Sequence, residues 1–338
     1  MSLAFPETPD AALCGVLRKP HQMLAEQTYD GHLSIHDDKM AEDLGLRAGP
    51  IEGPTHFSQF DPLLTQLFGQ AWFETGCISA HYQNMVVEGE EVRAFVQPPS
   101  LGQERGNEKL VRIWAEKRDG TPVLTGTASV GDVPDSAHEI PQRIARLRPA
   151  TGLVINRDLK VGQRGAAAET IAMGFDQHMG DHYPFTLASK LKVITEPSPW
   201  YTPEGGPASP WGRAIIPIEM ISVLLGSTVN RAGLRGRGPA VGLFAGQQIR
   251  LVRGPLFVGQ AYDLEREIIA LSESARTESV WMRTQVLEAG TRTSVSDTSG
   301  WSDGMLKVHH MNSTLTPGRS VGTRKHVMPR ASPGSRRA

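Results

Sequence analysis

Over residues 56–73 (HFSQFDPLLTQLFGQAWF) the apolar positions Phe57, Phe60, Leu63, Leu64, Leu67, Phe68 and Trp72 recur at spacings of three and four. That spacing predicts one buried helix, with Pro62 tolerated only in its first turn or two. Alternating segments follow at 78–87, 91–97, 109–117 and 122–130, and the last two flank Asp119-Gly120, a strong hairpin turn. The pattern then repeats. Residues 218–232 (IEMISVLLGSTVNRA) read as a second helix, followed by strand-like segments at 240–252, 261–271, 279–287 and 291–301, with Ala289-Gly290 as the matching turn. Between the halves, residues 132–164 carry Pro134, Pro141, Pro149 and Gly152 and no sustained amphipathic pattern, so the boundary is placed near residue 150. The expected domains are 1–150 and 151–304, with 305–338 as a basic, disordered tail.

Each half therefore has one long helix followed by four antiparallel strands. A shared triplet supports an internal duplication. Pro50-Ile51-Glu52 precedes the first helix, and Pro217-Ile218-Glu219 opens the second.

Composition narrows the field. Lys plus Arg number 35 against 36 for Asp plus Glu, a net charge of -1, which disfavours a dedicated nucleic-acid binder. The balance is uneven: residues 315–338 hold six basic residues and no acidic one. Cys14 and Cys77 are the only cysteines, without CxxC or HExxH, so a disulfide scaffold and a structural or zincin metal site are disfavoured and a reducing cytoplasm is expected. The start lacks a signal-peptide pattern, and the most apolar run, 214–225, contains Pro217 and Glu219 and is too short to span a bilayer. The expectation is a cytoplasmic protein with a small-molecule substrate, no nucleic-acid or membrane partner, and a second copy as a candidate partner in a homodimer.

One helix wrapped by a curved antiparallel sheet, present twice, is the plan of an α+β double hot dog. Residues 32–41 (HLSIHDDKMA) followed by 44–53 (LGLRAGPIEG) resemble the MaoC-like hydratase/dehydratase family, in which a D-x-N-P-I-H-x-D-x-x-x-A segment leads into G-x-x-x-P-I-x-H-G at the helix entry. The resemblance implies hydration or dehydration of an acyl thioester (2-enoyl-CoA or 3-hydroxyacyl-CoA). An acid–base pair would act on a substrate whose carbonyl oxygen is held at a helix N-terminus. It implies no metal or redox cofactor; the CoA arrives as part of the substrate.

Both copies offer candidates. The first keeps a His at His36, with Asp30 six residues upstream as partner, or serves only to complete the core. The second, residues 175–186 (FDQHMGDHYPFT), matches Gly-Asp-x-x-Pro through Gly180, Asp181 and Pro184, but has Thr186 where the family His would stand. His182-Tyr183-Pro184 is similar to the His-Phe-Pro of acyl-carrier-protein dehydratases, whose His pairs with an acidic residue on the central helix; Glu219 fits that place. The preferred site is Asp181, His182 and Glu219, weighed against ordinary surface and helix-start roles. His36 and Glu52 are 16 residues apart, whereas His182 and Glu219 are 37 apart. The excess includes residues 196–212 (EPSPWYTPEGGPASPWG), where Trp200, Tyr201 and Trp211 read as a lid or wall over the acyl pocket, or else as an interface loop. In 233–239 (GLRGRGP), Arg235 and Arg237 suit CoA phosphates or a solvated turn. A hot-dog thioesterase, a non-catalytic acyl-binding or assembly subunit, and an enzyme redirected to a polyketide-like substrate are the rival readings.

Overall fold

The structure is a computed structural model that describes residues 12–29, 32–98, 109–166, 169–237, 241–274, 277–290 and 306–315. Asp30 and the strand expected over 291–301 lie outside the described residues.

Short strands β1 (Leu13–Cys14), β2 (Thr28–Tyr29) and β3 (His32–Leu33) lead to helix α1 (Asp38–Asp43). The first central helix runs through a 3-10 segment (Gly53–Phe60), α2 (Asp61–Phe68) and α3 (Ala71–Thr75), and is followed by β4 (Gly76–Tyr82), β5 (Val92–Gln97), β6 (Lys109–Lys117) and β7 (Pro122–Val130). The second half contains α4 (Glu139–Ile144), β8 (Glu169–Ile171), α5 (Leu187–Leu191) and α6 (Ile218–Gly226), with a 3-10 turn at Val229–Ala232. It ends with β9 (Val241–Arg250), β10 (Tyr262–Glu273), β11 (Thr277–Glu288) and β12 (Leu306–Leu315).

Ten strands form one antiparallel sheet in the order β1-β5-β6-β7-β4-β9-β12-β11-β10-β8. Outward from the β4–β9 seam, each half repeats the same succession, so the duplication is visible in the topology. Cys77 pairs with Arg250 and His81 with Gly246 across the seam. The two helices pack back to back beneath it, and one apolar core, including Phe57, Phe60, Leu64, Met220, Ile221 and Leu224, spans both halves. Among the described residues, no helix is long and apolar enough to cross a membrane.

Several expectations are corrected. The first helix is segmented. Pro62 has no N–H for the Ser58 carbonyl, which instead accepts the Asp61 N–H in 3-10 fashion. Gly69, at φ 59°, then ends α2 by closing on the Thr65 carbonyl. The strand between β9 and β11 is Leu306–Leu315, inside the stretch read as tail: it pairs with both neighbours, for example Val308 with Thr284 and Ile249. The rest of the tail lies outside the described residues. The junction over 132–164 is also more ordered than its composition suggested. Helix α4 lies across the seam, where Ile140 packs with Trp281 and donates its N–H to Ser79 Oγ at 2.9 Å.

The shared Pro-Ile-Glu is not structurally equivalent in the two halves. Ile51 donates to the Val86 carbonyl at 2.7 Å and Ile216 to the Leu256 carbonyl at 2.8 Å, so Ile51 corresponds to Ile216. Glu52 and Pro217 are the residues that precede the two helices. The triplets are therefore displaced by two residues, and the duplication rests on the sheet order instead.

Candidate active site

A cavity of about 270 Å³ opens where the halves meet. The first half contributes His36, the helix entry at Pro50, Ile51, Gly53 and His56, and the turn from Tyr82 to Val86. The second contributes His182 and Tyr183, the end of α6 at Gly226 and Val229, and β9 from Gly242 to Ala245. Most of the wall is apolar, with Ile35, Val123, Leu243, Phe244 and Met282 among its residues.

Three imidazoles line this wall. His36 Nδ1 lies 2.5 Å from the Pro50 carbonyl oxygen. A carbonyl can only accept, so Nδ1 carries the proton and Nε2 keeps its lone pair. Burial lowers the His36 pKa to about 4, although the Pro50 carbonyl favours the charged ring. His36 is thus a neutral imidazole with a fixed tautomer. His56, buried in the 3-10 segment, is lowered to about 3 by burial and by the charges of Lys190 and Lys117.

His182 has the opposite tautomer. Arg235 Nε donates to Asn230 Oδ1 at 2.8 Å, which turns the Asn230 amide nitrogen toward His182 Nε2 at 2.9 Å. His182 Nε2 therefore accepts, and the proton of the neutral ring sits on Nδ1. The two imidazoles on this wall are thus held in opposite tautomers by their partners. The Tyr82 hydroxyl is buried with no hydrogen-bond partner among the described residues. Its ring lies flat on Gly53, where a Cβ would come within 2.5 Å of it.

Of the residues read from the sequence, the structure brings His36 and His182 together on this cavity. Asp181 is exposed, and its backbone carbonyl accepts from the Thr28 N–H at 3.1 Å. Glu219 is buried beside Lys190, 2.7 Å away, and does not line the cavity. Asp181, His182 and Glu219 therefore do not form one cluster there. Thr186, at the family His position, caps α5 by accepting from the Ser189 N–H. Arg235 does not line the cavity and donates to Asn230, while Arg237 pairs with Asp158 at the surface. Sequence reasoning did not select Glu52, His56, Tyr82 or Tyr183. His56 and Tyr82 are spaced like core residues, and the conspicuous cue at Glu52, the shared triplet, pointed to Glu219.

The aromatic insertion is not a wall of this cavity. Trp200 and Trp211 meet each other and Phe73 edge to face, with ring centroids 5.4–6.0 Å apart. Trp211 Nε1 also donates to Glu74, and Tyr201 donates to Asp61 Oδ2 at 3.0 Å. These contacts close the counterpart site of the other half. At equivalent helix positions, Gly53, His56 and Gly226 of the open cavity correspond to Ile218, Ile221 and Asp61, which bound a void of only about 10 Å³. Ile replaces Gly and His, and Tyr201 seals Asp61 in.

Burial raises Asp61 to about 7 against the opposing hydrogen bonds from Trp72 and Tyr201. A carboxyl whose folded pKa exceeds its unfolded value of 3.8 stabilises most below pH 3.8 and loses that contribution as pH rises to about 7. Asn in place of Asp61 mimics the protonated acid: its oxygen accepts from Trp72 and its amide donates to Tyr201. D61N is therefore expected to raise the thermal midpoint at pH 8 and to have no effect at pH 4. A destabilisation of equal size at both pH values contradicts this.

No family model matches the chain, and no curated protein matches it. Among solved structures, the chain is similar to a protein assigned to the MaoC domain dehydratases of Chloroflexus aurantiacus J-10-fl. Identity is 16%, covering 91% of this chain and 95% of that one, with a TM-score of 0.57. It is also similar to a conserved Mycobacterium tuberculosis protein, essential for survival during infection and described as a double hotdog fold. There identity is 11%, covering 89% and 96% of the two chains, with a TM-score of 0.51. The chain is thus a double hot-dog protein with an open inter-half cavity, and its structural neighbours include a MaoC-type protein, as the motif at His36 led one to expect.

Proposed function

We propose that this protein adds water to, or removes it from, an acyl thioester held in the His36 cavity. The observation that carries the proposal is His36 itself, a neutral imidazole whose Nε2 is kept as acceptor by the Nδ1 contact to Pro50. In hydration, Nε2 takes a proton from water as the oxygen attacks C3; in dehydration the same nitrogen returns that proton to the leaving hydroxyl. Charge developing on the thioester oxygen is met by the backbone at Gly53, where the central helix begins on the cavity wall.

Size and charge narrow the substrate. About 270 Å³ is at the small end for a ligand pocket, which suits an acyl head with the CoA or carrier arm outside. Arg266 reaches the cavity wall, but its nitrogens are bound by Glu169, Thr284 and the Leu225 carbonyl, so it favours no second carboxylate. An uncharged short acyl group fits.

The test is to incubate the purified chain with crotonyl-CoA and longer enoyl-CoAs while following the enoyl absorbance and free thiol together. Loss of absorbance without thiol is expected. Thiol release at the same rate would move the assignment to a thioesterase.

A further inference from the structure

Two carboxylic acids and one ammonium group are buried together where the central helices begin. Lys190 Nζ is 2.7 Å from Glu219 Oε1, with side chains 6% and 1% exposed. This is an ion pair by distance whose geometry completes no hydrogen bond: both Glu219 oxygens lack a hydrogen-bond partner among the described residues. Glu52 is packed against the pair, feeling attraction from Lys190 and repulsion from Glu219. From the other side it faces the Tyr82 phenol and accepts from the Tyr183 hydroxyl at 3.4 Å. One cation for two carboxyls leaves the cluster a proton short of neutrality, and an uncompensated buried charge is costly. Lys190 is committed to Glu219, so Glu52 is the group that keeps a proton.

Tyr183 links Glu52 to the cavity. It lines the wall beside Gly226, and a Cβ at Gly226 would lie 2.4 Å from its hydroxyl oxygen. Only glycine there lets the hydroxyl sit against the wall.

We propose that Glu52, acting through the Tyr183 hydroxyl, supplies the proton that C2 of the acyl thioester receives in the His36 cavity. This rests on the hydration reading above. As the water oxygen bonds to C3, its proton goes to His36 Nε2 and the C2–C3 π pair moves toward the thioester carbonyl. That pair then forms the C2–H bond with the Tyr183 proton, and Tyr183 takes the Glu52 proton in turn. Exchange with solvent returns a proton to Glu52 and removes one from His36, so the cycle balances. Dehydration runs the same path backwards.

Burial lifts Glu52 to about 7, so the donor is full below that pH and empties above it. Full-length wild type acting on crotonyl-CoA is expected to lose kcat above about pH 7. E52Q keeps the shape of the side chain but cannot pass a proton. It should lower kcat about 100-fold or more, within the usual range of acid–base contributions, and abolish this alkaline limb with KM little changed. Y183F should do the same, and E52Q/Y183F should be no worse than either single variant, since both act on one path. Y183F leaves the acid cluster intact and carries the test if E52Q does not fold. Wild-type kcat with an unchanged alkaline limb in E52Q or Y183F, or losses that multiply in the double variant, overturns this role alone. A wild type that does not hydrate crotonyl-CoA or its longer homologues removes the underlying reading and this role with it.

Discussion

H36A is expected to lower kcat on an enoyl-CoA about 100- to 10,000-fold, the range that general acid–base groups contribute. His36 is half-buried and reached through the cavity, and among the side chains there it combines a fixed tautomer with an acceptor nitrogen on the wall. Removing the ring leaves the thioester donors in place, so KM should change little while kcat collapses. The thermal midpoint should move by only a few degrees, because the ring is half-buried and, among the described residues, is held by one hydrogen bond, to the Pro50 carbonyl. The pH profile is the sharper readout. An imidazole of ordinary pKa would fail as base below about 6.5, whereas His36, lowered to about 4, stays neutral. The acid limb of kcat/KM should therefore lie near pH 4. A limb near 6.5, or full turnover in H36A, would mean that another group is the base.

Stability should follow the same groups with a definite sign. His36, His56 and His138 are held neutral, at about 4, 3 and 4, mainly by burial. Unfolded imidazoles bind protons below about 6.5, so stability is lost as pH falls from there through the folded values.

The strands were legible because their alternation is local. The expected strand over 109–117 coincides with β6, and the Asp119-Gly120 turn follows it. What failed was information held far along the chain. The partner of β11 is β12, beyond residues 291–305, and a Gly turn at 289–290 invited a nearer one. The role of Trp200, Tyr201 and Trp211 depends on Phe73, Glu74 and Asp61 in the other half. Seen locally, Pro-rich aromatic sequence reads equally well as a lid. The site divides along the same line. Among the residues lining the cavity, His36 stands out in the sequence by its motif, whereas Tyr82 closes a strand and His56 sits among apolar residues, where each looks like core. Glu52 acquires its interest only from Lys190 and Glu219, which no spacing places beside it.

E169Q is expected to destabilise the fold more than any cavity substitution proposed above, by about 3–5 kcal/mol, the usual cost of orphaning a buried charge. Glu169 and Arg266 have side chains only 2% exposed. Arg266 Nε and Nη2 donate to the two Glu169 oxygens at 2.8 and 3.1 Å, and Thr228 donates to the same carboxylate. Nη2 also reaches the Leu225 carbonyl at 2.6 Å, so the pair ties the three-residue edge strand β8 to the last turn of α6. An amide at position 169 keeps the shape but withdraws the negative charge, leaving a buried guanidinium held only by neutral groups. Replacing both partners with apolar residues removes the orphan. E169L/R266M should accordingly recover most of the loss, because such a swap is often neutral or better. Urea unfolding of the two variants beside wild type measures this directly. E169Q within about 1 kcal/mol of wild type, or a double variant weaker than E169Q, would show that solvent reaches the pair and that β8 is held by its backbone pairing to β10 instead.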